Sequence, residues 1–284
     1  MTRPEETAMA LRFASLSAPL FAAIAAAAAV GGVVWSRSDN HQLRQELSTI
    51  RQEVQATRAM VSKIGPGAPQ RPRPNQPDPS KVYAVGVDGE PATGKPDALL
   101  TVVLAYEYAC PWCNKQRPVL DEIQKTYGDD VRIVFRPFIV HPDVATDASL
   151  AACAAHRDGK FAAIDEALWR DAFGKRAFDR ASIEAIAVAA GVDKGKLAGA
   201  MDACKADLAR EQDALRTLGV TGTPMVWVNG RPASGFRDLA KLKPLLDEEL
   251  ARARERVAAG TPRDRYYAEW VMKKGLTKVE PSGT

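Results

Sequence analysis

The chain opens with a long apolar stretch before any periodic pattern appears. Residues 13–35 contain no charged side chain, and as a helix they would be about 35 Å long, enough to cross the hydrocarbon core of a bilayer. Basic residues flank the stretch on both sides, so its orientation is only weakly specified. Two interpretations stay open for residues 1–38: an uncleaved signal anchor, or a signal peptide cut among the alanines of 25–29. Either one exports the rest of the chain.

A heptad pattern follows over residues 39–64. Apolar side chains recur there at intervals of three, four and seven positions, and Thr57 fills the gap in the seam. The pattern predicts either a short coiled-coil stalk that brings two or three chains together or a solvated amphipathic helix. The seam consists of Leu43, Leu47, Ile50, Val54, Val61 and Ile64.

Six prolines set residues 65–80 apart from what surrounds them. Proline lacks an amide hydrogen and fixes its own φ angle, so this stretch cannot form a helix or a central strand. We expect an extended, semi-rigid spacer and a domain boundary. The residues with recognisable chemistry follow it.

Beyond the spacer, the pattern changes to strand, helix and strand. Residues 99–108 form an apolar run typical of a strand, and residues 114–127 have helical spacing before a second apolar run. The sequence CPWC, residues 110–113, lies between the first strand and the helix. A cysteine at a helix N-terminus is stabilised as a thiolate by unpaired amide groups and by the helix dipole. We therefore expect Cys110 to be the exposed nucleophile and Cys113 the buried resolving thiol.

Composition narrows the function classes. The net charge is +4, with 39 basic and 35 acidic side chains spread along the chain, so no nucleic-acid partner is indicated. A structural zinc site needs four ligands, whereas the chain has one CxxC pair and three scattered histidines. A redox-active pair that uses neither metal nor cofactor is favoured over a zinc site or an inert disulfide.

A run of helical patterns occupies residues 141–218. His141 ends an apolar run, and we interpret it as the crossing into this region rather than as a catalytic residue; the first helix is predicted to begin at Asp147. Cys153 lies among alanines and Cys204 on an apolar helix face, so both are predicted to be buried. They are either separate thiols or a structural disulfide, and an exported location favours the disulfide.

Three features in this order carry a resemblance to a known family. After the CPWC sequence, Pro118 follows five residues behind Cys113, residues 220–230 read VTGTPMVWVNG, and about eighty residues separate the second strand from that segment. Together they resemble the thioredoxin fold and, in detail, the exported DsbA-type thiol oxidoreductases. The resemblance covers about residues 81–256.

The resemblance implies an α/β fold, a thioredoxin-like sheet with an inserted helical domain at about residues 141–218. It leaves residues 257–284 as a C-terminal helical extension without an assigned role. It also implies a cis peptide bond before Pro224, in a loop that faces the cysteines. Thr223 would then offer backbone groups to a substrate segment lying beside Cys110.

The remaining site residues are assigned around the cysteine pair. Pro111 and Trp112 separate the two cysteines, and Trp112 is expected to contact substrate. Many family members carry a buried acid six residues before the first cysteine, where this chain has Leu104. The nearest acid is Glu107, so a proton relay to the resolving cysteine would run through Glu107, through water, or not at all.

The function implied by the resemblance is thiol–disulfide exchange on exported proteins, with introduction of disulfides as the leading interpretation. A disulfide isomerase or reductase using the same cysteines is the first alternative, and a redox-inactive chaperone or scaffold is the second. The implied partners are exported proteins with thiols or disulfides and a membrane redox protein of DsbB or vitamin-K-reductase type. We expect a periplasmic or otherwise extracytoplasmic location, and the N-terminal patterns rather than the resemblance suggest an inner-membrane anchor and a stalk that can form a homo-oligomer.

Overall fold

The structure, a computed structural model, describes residues 44–55 and 76–280 of the 284-residue chain. The chain divides into two units, residues 1–71 and 72–284. In the first unit, residues 44–55 form a helix whose apolar side chains Leu47, Ile50 and Val54 are exposed.

Several sequence predictions for the N-terminal part lie outside the described residues. These are the apolar segment at 13–35, the seam positions at 43, 61 and 64, and the spacer up to residue 75. Within the described ranges, no helix combines the length and the apolar character needed to cross a membrane.

The second unit is built around a mixed sheet with the order β1-β3-β2-β4-β5. Strands β2 and β3 run parallel, and the other neighbouring pairs are antiparallel. All seven residues of the central strand β2 are buried, as its nearly continuous apolar sequence requires. The strands are β1 (Ala92–Gly94), β2 (Leu100–Tyr106), β3 (Val131–Pro137), β4 (Met225–Val228) and β5 (Arg231–Ser234).

Helices cover the sheet and form the insertion between β3 and β4. The helices are α1 (Pro111–Tyr127), α2 (Pro142–Arg157), α3 (Phe161–Ala167), α4 (Arg180–Ala189), α5 (Lys194–Thr217) and α6 (Leu239–Ala258). Helices α1 and α6 pack on the sheet, whereas α2 to α5 belong to the insertion. A π-helical turn, Leu168–Phe173, follows α3 directly.

Alternation along β2 divides the core into two layers. Val102, Leu104 and Tyr106 face the layer that contains α1, α6 and the insertion. Val103 and Ala105 face the other layer, which includes the end of α5. This period of two is what a strand buried on both faces produces.

Two helices begin earlier than predicted. α1 begins at Pro111, three residues before the predicted start, and α2 begins at Pro142 rather than at Asp147. Both differences have one cause, because proline fits the first turn of a helix, where its missing amide hydrogen has no partner to lose.

The insertion is cross-linked by a disulfide between Cys153 on α2 and Cys204 on α5, with the two Cα atoms 6.1 Å apart. The cysteines are separated by 51 residues in sequence. In the chain-entropy treatment, closing a loop of this size lowers the entropy of the unfolded chain and stabilises the fold by about 4 kcal/mol.

The C-terminal extension folds back onto the same unit. The Tyr267 hydroxyl donates to the Val85 carbonyl at 2.7 Å, and Leu276 pairs with Tyr83 in a short parallel bridge. Arg263 forms an ion pair with Asp130 at 2.6 Å. These contacts tie the chain before β1 and the turn before β3 to the last described residues.

Candidate functional site

The two cysteines of the CPWC sequence lie where β2 gives way to α1. Cys110 is the N-cap residue of α1, with extended backbone angles, and its sulfur accepts the amide hydrogen of Cys113 at 3.3 Å. The sulfur therefore occupies the position that a capping serine or aspartate oxygen usually takes. Both cysteines are unbonded thiols in this structure.

The surroundings shift the two thiol pKa values in opposite directions. Hydrogen bonding from the Cys113 side chain, followed by bonds from Thr223 and nearby amides, outweighs burial and lowers the pKa of Cys110 to about 6. Burial raises the pKa of Cys113 far above its ordinary range, and the adjacent Cys110 sulfur raises it further. In the reduced pair near neutral pH, Cys110 is therefore the thiolate and Cys113 the thiol.

The expectation that Cys110 is exposed is wrong. Only 4% of Cys110 is accessible, and Cys113 is completely buried. The loop at Thr223 covers the first cysteine, because the Thr223 carbonyl lies 3.5 Å from the Cys110 sulfur.

The loop opposite the cysteines has the conformation that the resemblance implied. The Thr223–Pro224 peptide bond is cis, and the loop lies next to Cys110 at the entry of β4. A cavity of about 220 Å³ lies along the loop and is bounded by Gly222, Met225 and Gly235 among others. The predicted cis bond and its placement are confirmed.

Trp112 forms an apolar rim beside the cysteine pair. Its side chain is 53% exposed, its ring centroid lies 6.1 Å from that of Phe236, and the Lys115 ammonium lies 5.0 Å from the indole centroid. An exposed aromatic ring held by two neighbours is suited to contact a polypeptide, and that role stays a prediction.

Glu107 is completely buried, and its bonds lead to the insertion. The carboxylate accepts the amide hydrogens of Val140 at 2.7 Å and His141 at 2.9 Å, and it also contacts Nδ1 of His141. Its main-chain carbonyl accepts the Cys110 amide at 3.3 Å. Within the described part of the chain, no hydrogen bond joins the carboxylate to Cys113, so the relay through Glu107 stays a prediction.

A buried polar chain near α1 was not anticipated from the sequence. The hydroxyl groups of Tyr106 and Tyr108 lie 3.0 Å apart, and Tyr108 donates to the Asp165 carboxylate at 2.8 Å. Burial raises the pKa of Asp165 above its ordinary value. Leu104, at the position of the acid in many family members, is instead part of the apolar core.

Potential metal ligands are scarce in the described ranges. One cluster combines Cys153, Cys204 and Asp207. Its two sulfur atoms are already joined in the disulfide of the insertion. The Asp207 carboxylate is then the one ligand that remains in this cluster.

The fold and the cysteine pair define a protein of the thioredoxin superfamily with an inserted helical domain. The model of the DSBA-like thioredoxin domain family matches residues 101–247, from β2 into α6. The chain belongs to this family, and the resemblance found in the sequence is confirmed.

Solved structures show the same fold. The chain is similar to a thioredoxin-like oxidoreductase from Silicibacter pomeroyi DSS-3, with 26% identity and a TM-score of 0.50, covering 59% of this chain and 94% of that chain. It is also similar to oxidised BdbD from Bacillus subtilis, with 23% identity and a TM-score of 0.53, covering 60% and 98%. Wolbachia pipientis α-DsbA1 matches with 15% identity and a TM-score of 0.53, covering 61% and 96%. The last two similarities concern the fold.

Curated relatives are longer proteins. The chain is 30% identical over 160 residues to the Na(+)/H(+) antiporter NhaA 1 of Mycolicibacterium gilvum (strain PYR-GCK). The matched region covers 52% of this chain and 25% of that protein. The NhaA 1 antiporter of Mycobacterium sp. (strain KMS) matches to the same extent. The chain thus spans a quarter of the length of these relatives.

Proposed function

We propose that this protein introduces disulfides into exported proteins through the Cys110–Cys113 pair. The observation that carries the proposal is the opposite shift of the two thiol pKa values at the start of α1. A stabilised Cys110 thiolate favours the reduced form of the pair, and a pair whose reduced form is stabilised is an oxidant.

The proposed reaction begins from the Cys110–Cys113 disulfide. A substrate thiolate attacks the Cys110 sulfur, a mixed disulfide forms, and the electron pair of the broken bond passes to Cys113, which takes up a proton. A second thiolate of the same substrate then attacks the substrate sulfur of the mixed disulfide and releases Cys110 as a thiolate. The substrate gains a disulfide, and the enzyme pair gains two electrons.

Two neighbouring features support substrate binding at Cys110. The cis Thr223–Pro224 loop lies against the Cys110 sulfur and brings backbone groups next to it. The exposed Trp112 ring offers apolar contact on the α1 side. We propose that a segment of unfolded substrate lies between them.

An isomerase or reductase is the second candidate, and one observation favours it. Leu47, Ile50 and Val54 present apolar side chains on the helix of residues 44–55, as a self-associating stalk would. Two tethered active sites raise the local concentration of one Cys110 near a substrate held by the other. A redox-inactive chaperone would instead require that Cys110 not react with alkylating reagents.

We further propose an extracytoplasmic location with an inner-membrane anchor. The uncharged segment at 13–35 and the Cys153–Cys204 disulfide support it, since disulfides persist mainly in oxidising compartments. A membrane redox protein of DsbB or vitamin-K-reductase type would reoxidise the cysteine pair.

Trapping of the mixed disulfide tests the proposed function. Cys113→Ser removes the resolving thiol, so Cys110 should remain bound to substrate proteins as adducts that reducing agent releases. Cys110→Ser should give no adducts and no disulfide transfer. Adducts on Cys110→Ser, or none on Cys113→Ser, would contradict the assigned roles.

A further inference from the structure

The buried carboxylate of Glu107 holds an exposed imidazole next to the active site. Glu107 has no exposed surface, whereas the His141 side chain is 56% exposed, and the two meet through Nδ1 of His141. The same carboxylate also accepts the His141 amide hydrogen. The imidazole is therefore fixed at its backbone and at one ring nitrogen, while the ring itself remains open to solvent.

This arrangement defines the chemistry of the second ring nitrogen. A carboxylate at Nδ1 favours the tautomer that carries hydrogen there, which leaves Nε2 as an acceptor of protons. A carboxylate that orients a histidine in this way is the recurring device by which proteins prepare an imidazole for proton transfer.

His141 shares a groove with the residues on either side of Cys110. Ala109, Pro111 and His141 line one open groove of about 680 Å³, and Val144 and Phe178 add apolar surface to it. A substrate segment whose cysteine approaches Cys110 from this side would lie within the groove. The imidazole would then line the same groove as the incoming segment.

We propose that His141 is a catalytic base for the substrate thiol and that Glu107 is its positioning residue. The inference rests on the proposed function of the Cys110–Cys113 pair. Nε2 of His141 takes the proton of the substrate thiol, and the sulfur attacks Cys110. The Cys110–Cys113 bond breaks with its electron pair on Cys113, which takes up one proton, and the imidazolium returns its proton to solvent. In the reverse direction, the imidazolium protonates the departing substrate sulfur.

The charged groups around the imidazole come from three elements. Glu107 follows β2 and touches Nδ1, and Asp143 lies in the first turn of α2. Arg176 and Asp179, from the segment before α4, line the same groove. The Asp179 carboxylate is already engaged as the N-cap of α4, where it accepts the Ser182 amide at 3.0 Å.

The test measures how the rate of thiol oxidation depends on pH in the full chain with His141→Gln. The oxidant is the Cys110–Cys113 disulfide, and the substrate is a peptide thiol with an ordinary pKa of about 8.5. At pH 6.5 we expect the second-order rate constant to fall by about ten- to a hundredfold, at or below the lower end of the range of about 10² to 10⁴ that general bases contribute. At pH 9.5 the substrate is already a thiolate, so the variant and the parent protein should agree within about twofold.

Two controls separate proton transfer from structural damage. His156→Gln alters a histidine that bonds the Gly89 carbonyl at 2.9 Å, and it should leave the profile unchanged. An aromatic thiol that is ionised at pH 6.5 needs no base and should react equally fast with the parent protein and with His141→Gln. Glu107→Gln should show the same pH-selective loss as His141→Gln, because the tautomer is no longer held.

The outcomes are distinguishable. An equal loss at both pH values, or a loss with the ionised aromatic thiol, would mean that His141 is structural and would overturn the inference. An unchanged profile would overturn it as well. A parent protein that oxidises neither thiol at any pH would overturn the proposed function together with this inference.

Discussion

At the residue scale, the chemistry depends on a difference in environment between two cysteines that are one helical turn apart. Cys110 accepts the first free amide hydrogens of α1, whereas Cys113 lies in the apolar core below. The start of α1 therefore stabilises the thiolate of Cys110, whereas burial keeps Cys113 protonated. Neither effect needs a charged side chain at the position of Leu104.

This difference predicts the order of alkylation in the reduced protein. Because the pKa of Cys110 is lowered to about 6, its reaction with iodoacetamide should reach half of its maximal rate near pH 6. Cys113 should react at least about a hundredfold more slowly at pH 7, since its thiol is buried and its pKa is raised. Mass spectrometry of labelled peptides measures both rates, and faster labelling of Cys113 would reverse the roles.

The lowered pKa also predicts how the stability of the reduced protein depends on pH. The folded-state pKa of Cys110 is about 6, below the unfolded value of about 8.5. Its stabilising contribution is therefore complete above about pH 8.5, shrinks as the pH falls, and disappears below about pH 6. The difference in melting temperature between the reduced protein and Cys110→Ser should grow from pH 6 to pH 8.5. A difference that stays constant over this window would contradict the assigned thiolate.

The sequence was sufficient to predict these two roles, because they depend on local spacing. The helix start follows from the strand–CPWC–helix order, and the cis Thr223–Pro224 loop follows from the family resemblance. The Glu107–His141 contact could not be predicted from the sequence, because it joins residues 34 positions apart that meet only when β2 pairs with β3. The burial of Cys110 was missed for the same reason, since the loop that covers it lies more than a hundred residues away.

At the element scale, the insertion depends on the link between α2 and α5. Cys153 and Cys204 hold the two helices together in a region otherwise packed by small residues, mainly alanines of α2. Helix patterns were sufficient to predict these elements, although α2 begins at Pro142, before its predicted start. β1, a three-residue edge strand with exposed side chains, carries no apolar pattern and could not be predicted.

The Cys153–Cys204 disulfide is expected to stabilise the fold. Replacing both Cys153 and Cys204 with alanine should lower the free energy of unfolding by about 4 kcal/mol, because the unfolded chain regains the entropy of the open loop. Disulfide transfer by Cys110 should persist below the new melting temperature. Urea unfolding of the parent protein and of the double variant measures the difference, and equal midpoints would show that the link contributes nothing.

At the scale of the whole molecule, the question is how many active sites work together. The second unit carries one complete cysteine site, and the helix of residues 44–55 presents Leu47, Ile50 and Val54 to solvent. A seam of three heptads is marginal in water, but membrane anchoring would confine the chains and favour pairing. The spacer would then keep the active sites apart while tethering them.

Self-association is tested by sedimentation of two forms of the protein, one beginning at Ser38 and one at Gln76. We expect the longer form to run as a dimer or trimer at tens of micromolar and the shorter form as a monomer. Changing Leu47, Ile50 and Val54 to serine in the longer form should abolish association, because the seam loses its apolar contacts. If the longer form is already monomeric, the segment is only a spacer and the isomerase or reductase alternative loses its support.

The most direct test of the central claim is the redox equilibrium of the Cys110–Cys113 pair with glutathione, measured by thiol trapping between pH 5 and pH 8. At pH 7 we expect a potential closer to about −120 mV, as in strong oxidants, than to about −270 mV, as in thioredoxin. The potential should change by about 30 mV per pH unit above pH 6, where reduction of the pair takes up one proton, on Cys113. Below pH 6 it should change by about 59 mV per pH unit, because the reduced pair then binds a second proton, on Cys110. A value near about −270 mV would contradict the proposal of a disulfide-introducing enzyme.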